Sequence, residues 1–133
     1  MYEEKEQEIE EHKKRIILQQ NELLMSSAIA KKVIKLGTTL VPNATKSPLT
    51  EKDWERIRVT VNDIYSGLGN RLLLMHMSET ELRYCFLCLF GQDINSEAIF
   101  LNINPESVNK CIQRVRQRLG IIWKNYNLAS YLE

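Results

Sequence analysis

Apolar residues recur along this chain at helical spacing, and no stretch shows the strict alternation of apolar and polar residues that marks a half-buried strand. Residues 2–36 contain neither proline nor glycine and are rich in good helix formers, so they predict one long helix. Between turn signals the pattern predicts further helices, at about 50–66, 71–77, 79–90, 94–101 and 105–119, and a short terminal one at 123–132. The expected fold is therefore all-α.

The long helix carries apolar residues at seven-residue spacing: Ile9, Ile16, Leu23 and Ala30, with Ile17, Leu24 and Val33 or Ile34 beside them. A solitary helix does not keep such a stripe in water, so the stripe predicts a packing partner. Polar residues interrupt the seam at His12, Gln19 and Ser26. Two interpretations stay open: a coiled-coil homodimer through residues 9–34, or a helix that packs against its own domain.

Turn and capping residues divide the chain. Thr50 has the position of an N-cap, with Asp53 placed to complete a capping box. Ser78 and Gly91 have the positions of N-cap and C-cap for a central helix, and Gly120 is expected to end the last long helix. The expected organisation is a long helix at 1–37, a linker at 38–49, a helical connector at 50–76 and a C-terminal helical domain at 77–133.

Charge and composition exclude several classes of protein. The 133 residues include 18 basic and 17 acidic ones, and a net charge of +1 gives no bulk attraction to nucleic acid. The longest unbroken apolar run has seven residues (84–90), whereas a membrane-spanning helix needs roughly 20. The acidic start of the chain is unlike a signal peptide. These features favour a cytoplasmic protein with no direct membrane contact.

No arrangement of residues points to catalysis. Cys85 and Cys88 have the spacing of a metal-binding pair, but a zinc site needs four ligands and the sequence offers no second pair. We expect both thiols to pack in the core. The five glycines lie at predicted helix ends or bends and form no phosphate-binding loop. We therefore expect no enzymatic activity, no cofactor and no bound metal.

The segment 94–119 combines a short helix, a three-residue turn and a longer helix, which is the spacing of a helix-turn-helix. On a wheel at 100° per residue, one face of the second helix is apolar: Val108, Cys111, Ile112, Val115 and Leu119. The opposite face is polar, with Glu106, Asn109, Lys110, Gln113 and Gln117, flanked by Arg114 and Arg116, and with Arg118 nearer the core edge. Residues 104–120 hold four basic and one acidic side chain, a local charge of 4 − 1 = +3.

This polar face fits the chemistry of duplex DNA. Asparagine and glutamine can pair with adenine, and lysine can donate to guanine. Arginines neutralise phosphates without reading sequence. We expect Glu106, Asn109, Lys110 and Gln113 at the bases and Arg114, Arg116 and Arg118 at the phosphates. Any surface helix is polar outside and apolar inside, so the turn spacing and the basic flanks are what favour DNA.

Further residues carry a resemblance. Ser78-Glu79-Thr80-Glu81-Leu82 leads to Gly91, and Ala98, Leu101, Ile103, Ser107-Val108 and Leu119-Gly120-Ile121 follow. Without a gap over residues 77–121, this pattern resembles the LuxR-type helix-turn-helix DNA-binding domain of bacterial transcription regulators. The segments 102–108 and 114–119, with 49–55 and 65–72 upstream, are similar to a sub-group in which a repeat-containing sensor region precedes that domain.

The resemblance implies roles for particular residues. It places Asn109, Lys110 and Gln113 at the bases and Ser107 and Arg114 at the backbone, and we add Asn95 and Ser96 of the first motif helix at the backbone. The chain departs from the family at Glu97, which stands where an apolar core residue is usual, and at Asp93, which repels phosphate. A slight turn of the helix is expected to let Ile94 or Ile99 take the core position.

We expect a bacterial transcription regulator whose residues 77–133 bind double-stranded DNA sequence-specifically, as a homodimer. An upstream sensor domain or RNA polymerase is the further partner that the resemblance implies. A sigma-factor-like promoter reader shares a similar motif, but the chain shows no recognisable polymerase-binding region before it. The alternative from another class is a coiled-coil adaptor whose helix-turn-helix binds no DNA. Glu97, Asp93 and the near-neutral charge favour that alternative.

Overall fold

The computed structural model describes residues 2–41, 46–65 and 67–125, and every regular element within these ranges is helical. The helices are α1 (Tyr2–Ser26), α2 (Ala28–Gly37), α3 (Glu51–Ile64), α4 (Leu68–Leu73), α5 (Glu79–Leu87), α6 (Ile94–Leu101) and α7 (Pro105–Asn125). A 3₁₀ turn, Cys88–Phe90, continues α5. The all-α expectation is confirmed, and none of the described helices is long and apolar enough to cross a membrane.

The prediction of one helix over residues 2–36 is wrong, because the helix is interrupted at Ser27. Ser27 has an extended backbone (φ −68°, ψ 154°) and caps α2, its hydroxyl oxygen accepting from the Ala30 N–H at 3.3 Å. The same hydroxyl donates to the Leu24 carbonyl. Serine side chains compete in this way with the helical hydrogen bonds of the backbone, and here that competition ends α1.

The two halves of the heptad stripe have different surroundings. Leu24, Ala30 and Val33 are fully buried against the rest of the chain. Ile9, Ile16 and Leu23 are exposed, at 54%, 41% and 58%. Packing within the chain therefore accounts for Leu24, Ala30 and Val33 and leaves Ile9, Ile16 and Leu23 on the surface.

The end of α1 is tied to the end of α3 by two polar contacts. The Gln20 amide donates to the Ile64 carbonyl at 3.3 Å, and the Tyr65 hydroxyl donates to the Asn21 side chain at 2.6 Å. The buried Tyr65 thus finds a partner for its hydroxyl.

Helix α3 begins as its sequence predicts. Thr50 accepts from the Asp53 N–H at 3.2 Å, and the Asp53 carboxylate accepts from the Thr50 N–H at 2.9 Å, so the capping box is complete. Burial raises the pKa of Asp53, but hydrogen bonds from Lys32 and Thr50 outweigh it and hold the pKa below its usual value. The Lys32–Asp53 ion pair, at 2.7 Å, joins α2 to this cap.

Helix α5 lies at the centre of the molecule. Tyr84 to Phe90 are all at most 3% exposed, and one hydrophobic cluster runs from Leu24 through α3 and α5 to Val115. Arg83 on α5 stacks over the Trp54 ring at 4.9 Å and pairs with Glu51 at 2.8 Å. Residues of the expected linker also pack: Leu49 is buried, and the Ser47 hydroxyl donates to the Phe100 carbonyl of α6 at 2.5 Å.

Two boundaries differ from expectation. The helix expected at 71–77 lies at Leu68–Leu73 and follows Gly67, whose φ of 87° only glycine adopts readily. The last helix does not end at Gly120 but continues to Asn125. Glycine permits a helix end without imposing one, at a cost of about 1 kcal/mol relative to alanine inside a helix. Of the expected terminal helix at 123–132, residues 126–132 lie outside the described part.

Candidate nucleic-acid interface

Helix α6 begins at an aspartate cap. The Asp93 side chain accepts from the Ser96 N–H at 2.7 Å, and Asp93 itself is extended and exposed. An anion at this position is stabilised by the helix dipole. The helix spans Ile94–Leu101, as expected from the sequence.

The turn between α6 and α7 depends on an asparagine. Asn102 has φ 58° and ψ 43°, the left-handed conformation that asparagine tolerates better than most residues. The Ile103 N–H then returns to the Ala98 carbonyl at 3.0 Å and closes the end of α6. The connection between α6 and α7 is therefore three residues long.

Helix α7 starts where Asn104 and Pro105 predict it. The Asn104 side chain accepts from the Ser107 N–H at 2.8 Å, and Pro105 is the first residue of the helix. Proline suits this position because its missing N–H would have no helical partner there. The N-terminal turn of α7 is thus fixed by local hydrogen bonds.

The apolar face of α7 holds it against α5 and α6. Val108 and Val115 are fully buried, Cys111 is 4% exposed and Ile112 is half-buried. These four outcomes confirm the predicted inward face, and the fifth residue, Leu119, lies outside the part whose side chains are described. The opposite side of α7 is exposed.

The expected base-reading side chains lie together on that opposite side. Glu106, Asn109, Lys110 and Gln113 are all exposed, and Arg114 and Arg116 flank them, also exposed. Ser107 is half-buried beside the cap, while Asn95 is exposed and Ser96 half-buried at the start of α6. None of the ion pairs between described residues involves Lys110 or Arg114.

Arg118 is held by the protein itself, which sequence reasoning missed. Its Nε lies 3.4 Å from the Glu81 Oε2, and its Nη1 donates to the His76 carbonyl oxygen at 3.4 Å. The Glu81 carboxylate is buried, and its Oε2 accepts no hydrogen bond in the described part of the chain. Arg118 therefore compensates a buried charge at the junction of α5 and α7. No local signal links two residues so far apart in sequence.

Glu97 stays in the core, contrary to the expected turn of its helix. It is 4% exposed. Of the two residues expected to take its place, Ile94 is 39% exposed and Ile99 is half-buried. The Asp93 cap and the Asn102 turn fix both ends of α6, so the helix does not rotate. Burial, with the nearby Asp93 carboxylate, raises the pKa of Glu97 to about 7.

The three cysteines are buried around the same helix junction. Burial raises the pKa of Cys85, Cys88 and Cys111, so the thiols stay protonated at neutral pH. The Cys88 thiol donates to the Cys85 carbonyl at 2.9 Å. Within the residues that the structure describes, no group of three histidine, cysteine or acidic side chains could hold a metal ion. The cysteines thus pack as core residues.

We compared the chain with models of protein families, with curated proteins and with solved structures, and none of them matches it.

Proposed function

We propose that this protein is a bacterial transcription regulator that binds duplex DNA sequence-specifically through α7. The observation that carries the proposal is the exposed face of α7, which follows the three-residue turn after α6. On this face asparagine, lysine and glutamine lie between two flanking arginines. The buried face of the same helix is fixed on α5 and α6, so the polar face is presented by a rigid support.

The proposed base contacts come from the middle of the exposed face. Asn109 and Gln113 are one helical turn apart and can each pair with an adenine edge, and Lys110 can donate to a guanine. Glu106, in the first turn, can accept from a cytosine amino group. Such contacts distinguish base pairs only in the major groove, which is wide enough to admit a helix.

The proposed phosphate contacts come from the edges. Arg114 and Arg116 flank the reading face, and Ser107, Asn95 and Ser96 lie at the helix starts that approach a backbone. Arg118 pairs with Glu81, and the nearby carboxylate weakens the attraction of Arg118 for a phosphate. So few contacts give weak binding by one copy, and two copies on half-sites about 34 Å apart gain by effective concentration.

One observation favours the second candidate, an adaptor whose helix-turn-helix binds no DNA. Exposed carboxylates occupy the start of both motif helices, Asp93 at α6 and Glu106 at α7. Both carboxylates would lie close to a polyanionic duplex and oppose binding. The adaptor would use the same exposed faces to contact protein.

Binding to a pool of random DNA duplexes at two salt concentrations, followed by sequencing of the bound fraction, tests the proposal. We expect affinity to fall steeply with salt and one sequence motif to be enriched. The double variant Lys110→Glu/Arg114→Glu should abolish binding. The matched control is Lys31→Glu/Lys35→Glu, which reverses two exposed charges on α2 and should bind as the wild type.

The adaptor predicts a different result. In that case the wild type shows no duplex binding at low salt, or it binds equally well after charge reversal on α7. Either outcome would reject sequence-specific recognition by this helix.

A further inference from the structure

The first turns of α1 have no partner in the described molecule. Residues 4–9 and 11–16 are exposed, and α1 meets the body through side chains close to its end, such as Gln20, Asn21 and Leu24. Ile9, Ile16 and Leu23 form a line of exposed apolar side chains at seven-residue spacing, which we call the α1 stripe. Most helical stability in proteins comes from packing of an apolar face, so a second surface on the stripe would stabilise these turns.

The charges along α1 indicate which partner fits the α1 stripe. Residues 3–11 contain six glutamates and one lysine, a net charge of 1 − 6 = −5, and residues 13–15 contain three basic side chains, a net +3. A second copy of α1 in the opposite direction brings the acidic stretch of each copy against the basic stretch of the other. A parallel copy aligns the two −5 stretches, and like charges this close repel.

We propose that the α1 stripe is the dimer interface and that the two α1 helices pair antiparallel, with Ile9 of each copy opposite Ile16 of the other. The symmetry axis then crosses between His12 and Lys13. In this register Glu8 lies near Arg15 of the partner subunit, on the same edge of the stripe. A parallel pair offers the contact of Glu8 with Lys13 of the partner subunit, but it keeps the acidic stretches aligned.

The buried Leu24 and the α1 stripe lie on different sides of the helix. Leu24, which packs into the body, lies about 100° around the helix from Leu23 of the stripe. The surface that holds α1 to its own chain and the surface that would hold the partner are therefore different faces of one helix. The inference specifies the dimer of the proposed regulator but rests on α1 alone and does not depend on DNA binding.

Sedimentation equilibrium of the full chain without DNA tests the interface. We expect the mass to rise with concentration from 15.6 kDa to twice that value. Ile16→Asn should leave a monomer at concentrations where the wild type is dimeric. Leu74→Asn, which changes an apolar residue that is 76% exposed elsewhere, is the matched control and should dimerise normally. A wild type that stays monomeric, or a dimer that survives Ile16→Asn, would overturn the proposal.

Disulfide trapping tests the orientation. In the antiparallel pair, an Ile9→Cys protein mixed with an Ile16→Cys protein should give a mixed disulfide. Either variant alone should give none, because its two copies of the new cysteine are seven residues apart along the axis, about 10 Å. The three native cysteines are buried and do not compete. Efficient disulfides from each variant alone would instead show a parallel pair and overturn the proposal.

Neutral substitutions test the charge argument. Lys13→Gln/Lys14→Gln/Arg15→Gln removes the basic stretch and should weaken an antiparallel dimer several-fold in dissociation constant. It should leave a parallel dimer unchanged or tighter, and that result would contradict the proposal. The control Lys31→Gln/Lys35→Gln/Lys52→Gln removes three exposed charges outside α1 and should not alter association.

Discussion

Glu97 is a carboxylic acid buried in the core between the two fixed ends of α6. Its 4% exposure and the neighbouring Asp93 raise its pKa to about 7 from an ordinary value of 4.5. The folded state therefore binds this proton more tightly than the unfolded chain does. The stability that follows from this is fully present below about pH 4.5 and is lost as pH rises through 7.

We expect Glu97→Gln to remove that pH dependence. The variant should match the wild type near pH 4.5 and be more stable by about 3 kcal/mol at pH 8, because glutamine carries no charge to bury. Urea unfolding across this pH range measures the difference. Glu22→Gln, at an exposed position on α1, is the control and should follow the wild type. If Glu97→Gln and the wild type were equally stable at pH 8, that result would contradict a pKa of Glu97 raised by burial.

Asn102 holds the turn of the motif in the left-handed region. We expect Asn102→Ala to cost about 1 kcal/mol of unfolding free energy, because a Cβ without a compensating polar group strains this conformation. Asn102→Gly, the matched variant, should differ from the wild type by only a few tenths of a kcal/mol. Thermal unfolding of the three proteins checks this, and an alanine variant as stable as the glycine variant would show that the turn is unstrained.

At the scale of the element, caps decide where most helices begin. The capping box at Thr50 and Asp53 satisfies two backbone N–H groups at the start of α3. We expect Thr50→Ala to destabilise the protein by about 1 kcal/mol, and Thr50→Ser to restore most of that. Urea denaturation of both variants measures it. Should serine and alanine be equally destabilising, the loss would come from the threonine methyl group and not from the cap.

Helix α7 contributes one face to the core and the other to the protein surface. Its valines fix it to the core, and the same periodicity turns Asn109, Lys110 and Gln113 outward. The inward and outward faces follow from helical spacing alone, so the sequence predicts both. Helical spacing does not predict which arginines pair within the protein, because Arg118 pairs with Glu81 on another helix.

At the scale of the whole molecule, one core joins elements that the sequence separates. Leu24 and Val33 from the N-terminal helices belong to the same buried cluster as Tyr84 and Phe100. The Lys32–Asp53 pair, the Arg83–Trp54 contact and the Ser47–Phe100 hydrogen bond cross the boundaries of the expected segments. Shared burial of this kind makes unfolding cooperative across them.

We expect Leu24→Ala to destabilise the entire described body by about 2–5 kcal/mol, since it empties a fully buried site. In native-state hydrogen exchange, amides of α5 should lose protection by the same free energy as amides of α2. Leu74→Ala, at an exposed site, is the control. If α5 kept its protection while α1 and α2 lost theirs, the N-terminal helices would be an independent unit.

Local chemistry made much of this molecule predictable. The caps at Thr50, Ser78 and Asn104 and the left-handed Gly91 lie where the sequence predicts them, because a cap acts through residues within one turn. Ser27 and Gly120 are less reliable guides to where a helix ends. Ser27 ends a helix that propensity favours, and Gly120 does not end one, because both residues permit two conformations of similar energy.

The all-helical class, most helix starts, and the inward and outward faces of α7 can be predicted from the sequence, since each depends on spacing and short-range hydrogen bonds. The burial of Glu97 with its raised pKa and the pairing of Arg118 with Glu81 follow from the packing of distant segments. The same packing divides the apolar stripe of the N-terminal helices at Leu24 into a buried and an exposed part. These outcomes depend on which distant side chains meet, and no pattern within a single helix records that.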